Sequence, residues 1–511
     1  MTSMFTKAKK DLPGYLALSV LLILACLARV LWLGNIPGIN GDEAWFGVQM
    51  IGTRPVTWFT PTGLFLNPFF IIPLWIFQRF SPPAFWVLRM PAVLSGLLLL
   101  ALGYFLLKKQ IGVLPALIFV ALAAGLPDLI VYARFGWDPS ETGLAMLIVF
   151  YFALSRKWGL CLVAVVLSLI IQPTNIFALA ILIIFFGAEP FKHSIGSRQG
   201  RRILGALGLF FVVLVLFLVL ESKRIGIAGL ATDQLFSLPG WLGLFASYGD
   251  LISGVMLYRY ISTPIQGLTL VLHDLFIWVI LLSTIILGCW YSIKRRDFVI
   301  VALVGGLLVS LVGVHITMAD ANLLPYNRYL QFLIVPTLLL VTLSIKEVFL
   351  KSKSRWWPLG LAITLGFLGL FSVATNYFVP LMTTGGQADM MYFTGPVEPK
   401  AAAAAMILNG DPDRAPTTIL AEDWWIAQPV GYMLSEHLEF NILQLDKLNL
   451  NMASIKEILG KGGYVIGFYQ GALDTSIMQK IHDPSIGHVV IYGYAQKPIL
   501  IIWHIQPFPQ S

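Results

Sequence analysis

Long apolar runs, separated by short polar segments, recur over most of the chain. Most runs are roughly 16 to 25 residues long, the length that an α-helix needs to cross a bilayer. The first run has no small-residue cleavage site, so we expect a retained helix and not a signal peptide. The pattern predicts about eleven membrane-spanning helices, at residues 13–33, 84–107, 112–131, 142–155, 158–171, 174–189, 203–220, 268–292, 298–316, 329–346 and 356–378.

A shorter apolar piece, residues 64–80, contains Pro68 and Pro73 and ends at Gln78-Arg79. It is compatible with a span or a re-entrant segment, but charge favours an interfacial segment. With about eleven spans, the basic clusters all lie on one side, and basic residues mark cytoplasmic loops. The N-terminus is then cytoplasmic. The clusters on this side are Lys7/Lys9/Lys10, Lys108/Lys109, Arg156/Lys157, Lys192/Arg198/Arg201/Arg202, Lys294/Arg295/Arg296 and Lys346/Lys351/Lys353/Arg355.

The opposite face receives the long loops and most acidic residues of the membrane part. We expect loops 34–83, 132–141, 221–267 and 317–328 there, with everything after about residue 379. Acidic residues together with long loops on this face indicate a functional site outside the cytoplasm. The acids on this face are Asp42, Glu43, Asp138, Glu141, Glu221, Asp233, Asp250 and Asp320.

The last segment of the chain, residues 379–511, alternates short apolar stretches with turns. The stretches "TTILAEDWW", "GGYVIGFY", "HVVIYGY" and "PILIIWHI" are typical of strands, and Asp423-Trp424-Trp425 is read as a strand end. The segment "EPKAAAAAMILNG" predicts a helix closed by a glycine. We therefore predict a small soluble α/β domain outside the membrane, following a membrane domain at residues 1–378.

Composition agrees with a polytopic α-helical membrane protein. The chain is 58% hydrophobic and 12% charged, whereas a soluble domain carries about 25% charged residues. A net charge of +8 would suggest nucleic acid in a soluble protein, but here it reflects topology, and no nucleic-acid partner is expected. The sequence has no P-loop, GxGxxG, HExxH or GxSxG motif.

The pair Asp42-Glu43 follows the first span, in "NIPGINGDEAWFGVQM". Asn40 and Glu43 have the spacing of a capping box, and acids in a first turn suit the helix dipole. Capping explains Glu43 better than Asp42. Ionisable groups at membrane depth are costly and usually functional, so a catalytic or ligand role stands beside the capping interpretation.

Two arginines lie near the outer ends of predicted spans. In "VYARFGWDPSETG", Asp138 and Glu141 fit a helix start and need no further role. Arg134 in the same motif is a candidate for phosphate binding or for a snorkelling anchor. In "LLPYNRYLQFLIVP", Arg328 has the same two interpretations, and its neighbour Tyr326 fits an interfacial aromatic belt.

Five motifs follow one another in order: "GDEAWFG", "NPFFIIPLWIF", "RMPAVLSGLLLLALGYFLL", "YARFGWD" and "YNRYLQFLIVP". In order and placement they resemble the GT-C fold glycosyltransferases. The resemblance is closest to protein O-mannosyltransferases and bacterial aminoarabinose-to-lipid A transferases. It is most specific over residues 13–155 and looser over 322–340. A soluble terminal domain is also common in that family.

The resemblance implies a membrane enzyme that transfers a sugar from a polyprenyl-phosphate donor to a lipid, glycan or protein acceptor. The reaction is expected on the extracytoplasmic face of a bacterial plasma membrane, with inversion by a single displacement. Asp42 matches the first acid of the family motif and would be the general base. Glu43 would orient a neighbour or cap its helix.

The same resemblance assigns Arg328 and Arg134 to the donor phosphate, whose charge grows as it leaves. Many family members carry Lys-Pro-Pro in the interfacial stretch, whereas this chain has "TPTGLFLNP" without the lysine. Arg54, Arg79 or Arg328 would then replace that cation.

Other residues would support the site. Asp138 would position Arg134 or, with Asp42, bind a divalent metal, because some GT-C members use one and others do not. Glu141, Tyr326 and Trp45 are further supporting candidates, the last for stacking on sugar or isoprenoid or for interfacial anchoring.

Two other classes compete with this interpretation. A transporter or flippase of lipid-linked sugars often shows an internal repeat and polar groups near the bilayer midplane, and neither is evident here. A polysaccharide polymerase or ligase also uses outer-face arginines, but usually places key residues in large late loops and lacks the early acidic pair.

Overall fold

The computed structural model describes residues 2–51, 59–60, 65–187, 238–259, 261, 267–295, 299–318, 327–349, 357–388, 395–410, 417–437, 440–445, 462–471 and 487–505. The predicted span at 203–220 lies outside these residues, as do Arg54 and Tyr326. The backbone of Arg328 is described, but its side chain is not.

Helices make up most of the described chain. Up to residue 384 they are α1 Thr2–Val30, α2 Gly41–Met50, α3 Pro68–Phe80, α4 Phe85–Ile111, α5 Val113–Gly125, α6 Pro127–Tyr132, α7 Thr142–Leu154, α8 Trp158–Ile171, α9 Ala178–Gly187, α10 Leu238–Ser253, α11 Val255–Arg259, α12 Gly267–Lys294, α13 Val299–Met318, α14 Ile334–Phe349, α15 Trp357–Val373 and α16 Val379–Thr384. Short 3₁₀ helices at Asp138–Glu141, Pro173–Phe177 and Asn327–Leu333 precede α7, α9 and α14.

Within the described ranges, the predicted spans correspond to helices, although those at 174–189 and 329–346 begin with a 3₁₀ helix. The run at 112–131 forms two helices that meet at Leu126, because Pro127 cannot continue the preceding helix. The predicted start at Asp138 also differs in detail. Trp137, not Asp138, occupies the N-cap position, and its side chain makes no capping hydrogen bond. Asp138 is the first residue of a 3₁₀ helix, and Pro139 is the second.

Four helices within the described ranges are long and apolar enough to cross a membrane, at Phe85–Ile111, His273–Lys294, Tyr329–Val348 and Leu359–Thr384. Shorter apolar helices include Pro68–Phe80, the segment predicted to be interfacial. Large apolar side chains on α12, such as Leu275, Ile286 and Trp290, are more than half exposed, as lipid contact requires. A mostly helical membrane protein is therefore confirmed, while the number of spans stays a prediction.

The terminal part contains helices α17 Val397–Gly410 and α18 Trp424–Met433 beside one sheet. Its strands are β1 Thr417–Ala421, β2 Phe440–Gln444, β3 Gly463–Phe468, β4 Gly487–Tyr492 and β5 Pro498–Ile505. They lie in the order β2-β1-β3-β5-β4. Strands β1, β2 and β3 pair in parallel, whereas β5 is antiparallel to both neighbours. The predicted small α/β unit is present, and its core holds Ala403, Ile419, Ile426 and Ile502.

The prediction was wrong where it extended the first strand through Asp423. Strand β1 ends at Ala421, and Asp423 becomes the N-cap of α18, because its carboxylate accepts a hydrogen bond from the backbone N–H of Ile426 at 3.1 Å. The strand β2 was not predicted.

The two parts of the molecule pack directly against each other. Backbone hydrogen bonds join Ile39 of the helical part to Gly395 in both directions, at 2.9 and 3.1 Å. Leu381 and Ala388 pack in one cluster with residues of α6 and α11. The boundary predicted at residue 379 stays a prediction, and residues just beyond it belong by packing to the helical part.

Candidate functional site

The acidic pair sits at the start of α2, in the capping box expected from sequence. The Asn40 side chain accepts a hydrogen bond from the N–H of Asp42 at 2.7 Å. In return, the Glu43 carboxylate accepts from the N–H of Asn40 at 3.2 Å. Both acids lie in the first turn, where the helix dipole favours negative charge. Local sequence alone therefore fixes the backbone on which the pair is carried.

Glu43 is the point at which three of the sequence motifs meet. Its carboxylate forms a two-point ion pair with Arg89 of "RMP", at 3.0 Å from Nε and 2.9 Å from Nη2, with both side chains fully buried. It also accepts from the N–H of Gly136 in "YARFGWD". With its carboxylate engaged by Asn40, Arg89 and Gly136, Glu43 ties α2 to α4 and to the segment before α7.

Arg89 and Arg134 together hold the loop between α1 and α2. Arg89 donates to the carbonyl oxygens of Leu33, Pro37 and Gly38 at 2.7 to 2.8 Å. Its guanidinium therefore reaches both the loop and Glu43. The buried Arg89 side chain therefore fixes the loop that precedes the acidic pair.

Arg134 caps the end of α1 instead of facing solvent. Its guanidinium donates to the carbonyls of Ala28, Leu31 and Ile36 at 3.0, 2.7 and 2.6 Å, and its side chain is fully buried. Unpaired carbonyls and a negative dipole end make a helix C-terminus a natural site for a cation. These contacts give Arg134 a structural role, and phosphate binding by it stays a prediction.

Asp42 differs from its neighbour because it is partly exposed, whereas Glu43 and residues 44–47 are buried. Its Oδ1 accepts a hydrogen bond from Nε1 of Trp424, at 3.1 Å, across 382 positions of sequence. Trp424 is the first residue of α18, so the terminal part contacts the acid directly.

Glycines in α2 allow this close approach. A Cβ on Gly41 would lie 2.5 Å from Cδ1 of Trp424, and one on Gly47 would lie 2.6 Å from Cδ2 of Tyr432. At the far end of α18, the Tyr432 hydroxyl exchanges hydrogen bonds with the backbone of Ala84, at 3.2 and 3.3 Å. Helix α18 is thus anchored at both ends on the helical part.

A buried lysine lies in the same interface. Lys400 of α17 is 3% exposed, and desolvation lowers its pKa to about 8 against the opposing charges of Asp423 and Glu43. Burial also raises the pKa of Asp423 to about 6, partly offset by backbone hydrogen bonds and by Lys400. The charged residues of α2, α17 and α18 therefore share one poorly solvated region.

The supporting candidates fall in two places. Asn67 donates to Glu141 at 2.8 Å, and burial raises the pKa of Glu141 to about 8, helped by nearby Asp138. Asp138 itself is half-buried. Trp45 packs in an apolar cluster with Phe46 and is 9% exposed. Its ring is therefore part of the hydrophobic core around α2.

The remaining candidates cannot be placed as side chains. Arg54 and Tyr326 lie outside the described ranges, and Arg328 is described only as backbone of the 3₁₀ helix Asn327–Leu333. Over the described chain, no group of three His, Cys, Asp or Glu residues is arranged to hold a metal ion.

Sequence reasoning missed the contacts made by Arg89, Trp424 and Lys400. The only available signal for Arg89 was an arginine at the outer start of a span. Nothing in "EDWW" or "EPKAAAAA" indicates contact with α2, because those contacts depend on how the terminal part docks.

The fold is similar to that of a solved protein structure. The structure of ArnT from Cupriavidus metallidurans bound to undecaprenyl phosphate matches with a TM-score of 0.57 and 14% identity, over 98% of this chain and 100% of that chain. ArnT from the same organism in the apo state gives a TM-score of 0.44 and 13% identity, over 97% and 99%. No protein-family model and no curated protein matches the chain. The expected GT-C fold is confirmed by the first of these structures.

Proposed function

We propose that the protein is a membrane glycosyltransferase that moves a sugar from a polyprenyl-phosphate donor to an acceptor on the extracytoplasmic face. Asp42 is the general base in this proposal. The observation that carries it is the contrast within the acidic pair: Glu43 is buried and engaged by Arg89, while Asp42 is partly exposed at the start of a clamped helix. A rigidly placed, accessible carboxylate is what general-base catalysis requires.

The fold supports the donor class. ArnT, which shares the fold, was crystallised with undecaprenyl phosphate, a polyprenyl phosphate. Several described helices are long and apolar enough to lie in a bilayer beside such a lipid. The donor phosphate would then sit near the outer ends of these helices, close to Asp42.

The reaction is a single displacement with inversion at the anomeric carbon. The acceptor hydroxyl or amine transfers its proton to the Asp42 carboxylate as its oxygen or nitrogen attacks. The new bond forms to the anomeric carbon while the bond from that carbon to the phosphate oxygen breaks. The bonding electrons leave with the polyprenyl phosphate, whose charge increases and requires a nearby cation.

For that cation we favour Arg328, with Arg54 as the second candidate. Arg134 and Glu43 stabilise the active-site loop in this scheme. The Arg134 guanidinium donates to backbone carbonyls, and the Glu43 carboxylate pairs with Arg89. If a divalent metal takes part, Asp42 and Asp138 are the acids proposed to approach it.

The proposed location is the inner membrane of a bacterium. The N-terminus and the basic loops are cytoplasmic in this arrangement, and the terminal α/β unit is outside. This orientation places the Asp42 carboxylate on the side where a flipped lipid-linked sugar meets envelope acceptors.

The first experiment compares wild type, a deletion strain and Asp42→Asn in the native host, with membrane levels of the protein matched. Envelope glycolipids, glycoproteins and polymers are profiled by mass spectrometry. We expect both altered strains to lose the same sugar modification while its polyprenyl-phosphate form persists or accumulates.

Glu398→Gln provides an acidic control, because Glu398 is exposed in the first turn of α17 and has no role in the proposed reaction. It should retain the modification. If Asp42→Asn keeps every product that the deletion loses, Asp42 is not the base, and transport of a lipid-linked sugar becomes the better interpretation.

A further inference from the structure

The hydrogen bond between Trp424 and Asp42 links the two parts of the molecule at the proposed reacting group. Indole Nε1 is a donor only, so its 3.1 Å contact with Oδ1 directs the N–H at the carboxylate. The backbone N–H of Asp42 donates to the side chain of Asn40 at 2.7 Å. The backbone of Asp42 is thus fixed by α2, and its side chain is contacted by the terminal part.

The position of Trp424 is itself closely defined. It follows Asp423, whose side chain caps α18, and its ring faces Gly41, where a Cβ would come within 2.7 Å of Nε1. The opposite end of the helix is held by Tyr432 on Ala84. Small rotations of α18 would therefore be resisted at both ends, which keeps the indole N–H in register with Asp42.

We propose that Trp424 is a positioning residue for the base, so that the terminal α/β unit completes the active site. The inference rests on the proposed function, because it takes Asp42 to be the base. It adds to that function that a residue of the terminal part sets the rotamer of the Asp42 carboxylate and its tendency to take a proton.

Two physical effects follow from this contact. A donor to one carboxylate oxygen holds the side chain in one orientation, and misplacement of a catalytic group by about 1 Å can cost roughly 100-fold in rate. A hydrogen bond to the charged form also favours that form over the protonated acid. Loss of the N–H should therefore lower kcat and move the acidic limb of the pH–rate profile to higher pH.

Other ionisable groups face this region and must stay constant in the comparison. They are Glu43 and Arg89 from the helical part, and Asp423 and Lys400 from the terminal part. Each variant is therefore compared with wild type over the whole pH range, and none of these four residues is altered.

The test uses the full-length protein in nanodiscs. The donor is the polyprenyl-phosphate sugar extracted from the Asp42→Asn strain, and the acceptor fraction is prepared from the deletion strain. Trp424→Phe removes the N–H and part of the ring. A benzothienylalanine at position 424 keeps the bicyclic ring and replaces the N–H by sulfur, which provides a folded variant if phenylalanine disturbs docking. Trp425→Phe is the local control, since Trp425 also faces Gly41.

We expect both changes at position 424 to lower kcat roughly 10- to 100-fold, as for a lost hydrogen bond to a charged group. KM for the donor should change less than about twofold, and the acidic limb should rise by about one pH unit. Trp425→Phe should behave like wild type in each measurement.

Two results would overturn the inference. One is a benzothienylalanine variant with wild-type kcat and an unshifted acidic limb, which would leave the indole as packing alone. The other is an equal loss in Trp424→Phe and Trp425→Phe. Neither result contradicts the proposed function, which is tested separately by the activity of Asp42→Asn.

Discussion

At the scale of single residues, the ion pair between Glu43 and Arg89 dominates the frame of the site. Removing one partner of a fully buried pair leaves an uncompensated charge and costs about 3–5 kcal/mol. We predict that Arg89→Met lowers the thermal midpoint and the membrane level of the protein, because Glu43 and three loop carbonyls lose their donor. Thermal unfolding of the detergent-purified protein, followed by tryptophan fluorescence, measures the effect.

Arg79→Met is the matched control, because Arg79 is exposed on α3 and lies over the ring of Trp75. Its effect should stay within about 0.5 kcal/mol. The double variant Glu43→Gln with Arg89→Met should cost less than the sum of the single changes, since the two residues interact. Equal effects of Arg79→Met and Arg89→Met would contradict the structural role of the pair.

Local contacts were predictable at this scale, and distant ones were not. The spacing of Asn40 and Glu43 predicted the capping box, because both groups lie in one helical turn. Arg89, the ion-pair partner of Glu43, is 46 positions away, and Trp424, which donates to Asp42, is 382 positions away. Both contacts depend on how whole helices dock, which residue types and local spacing do not specify.

At the scale of elements, α2 and α18 approach closely because Gly47 leaves room for Tyr432. An added Cβ at Gly47 would lie 2.6 Å from the Tyr432 ring, and that ring is buried and tied to Ala84. We predict that Gly47→Ala destabilises the docking of α18 by about 1–3 kcal/mol through overpacking. Limited proteolysis, scored by release of the terminal fragment, measures docking.

Gly360→Ala separates packing from helix propensity. Gly360 lies in α15 with nothing within 4 Å of an added Cβ, so alanine should be neutral or stabilise by up to about 1 kcal/mol. Similar proteolysis of both variants would mean that the Gly47 contact does not limit docking.

The apolar patterns predicted most elements of the terminal part, with two kinds of exception. Four predicted strands and the alanine-rich helix are present, because alternation and helix formers act locally. The strand through "TTILAEDWW" was predicted too long, since Asp423 uses its carboxylate to cap a helix that also contains Pro429. Strand β2 was missed because "FNILQ" mixes apolar and polar residues and depends on pairing with β1.

At the scale of the whole molecule, the long apolar runs defined the helical part, and the ordered motifs indicated its GT-C fold. The distribution of basic residues adds an orientation that packing alone does not determine. In the proposed orientation, residues 108–110 are in the cytoplasm and the terminal sheet is outside. The docking of α18 on α2 would then put Asp42 on the outer side as well.

This orientation can be tested with cysteine labelling, after the three native cysteines, Cys26, Cys161 and Cys289, are replaced by alanine. Gly487→Cys lies exposed at the start of β4, with nothing within 4 Å of its Cβ. We predict that a membrane-impermeant maleimide labels it in spheroplasts.

Lys109→Cys is the paired control, since Lys109 is also exposed but lies in the basic last turn of α4, which should face the cytoplasm. It should react only after the membrane is permeabilised. If Lys109→Cys is labelled in intact spheroplasts and Gly487→Cys is not, the orientation is reversed, and Asp42 would meet a donor on the cytoplasmic face. If both are labelled without permeabilisation, the two positions share one side, and the number of spans between them differs in parity from the prediction.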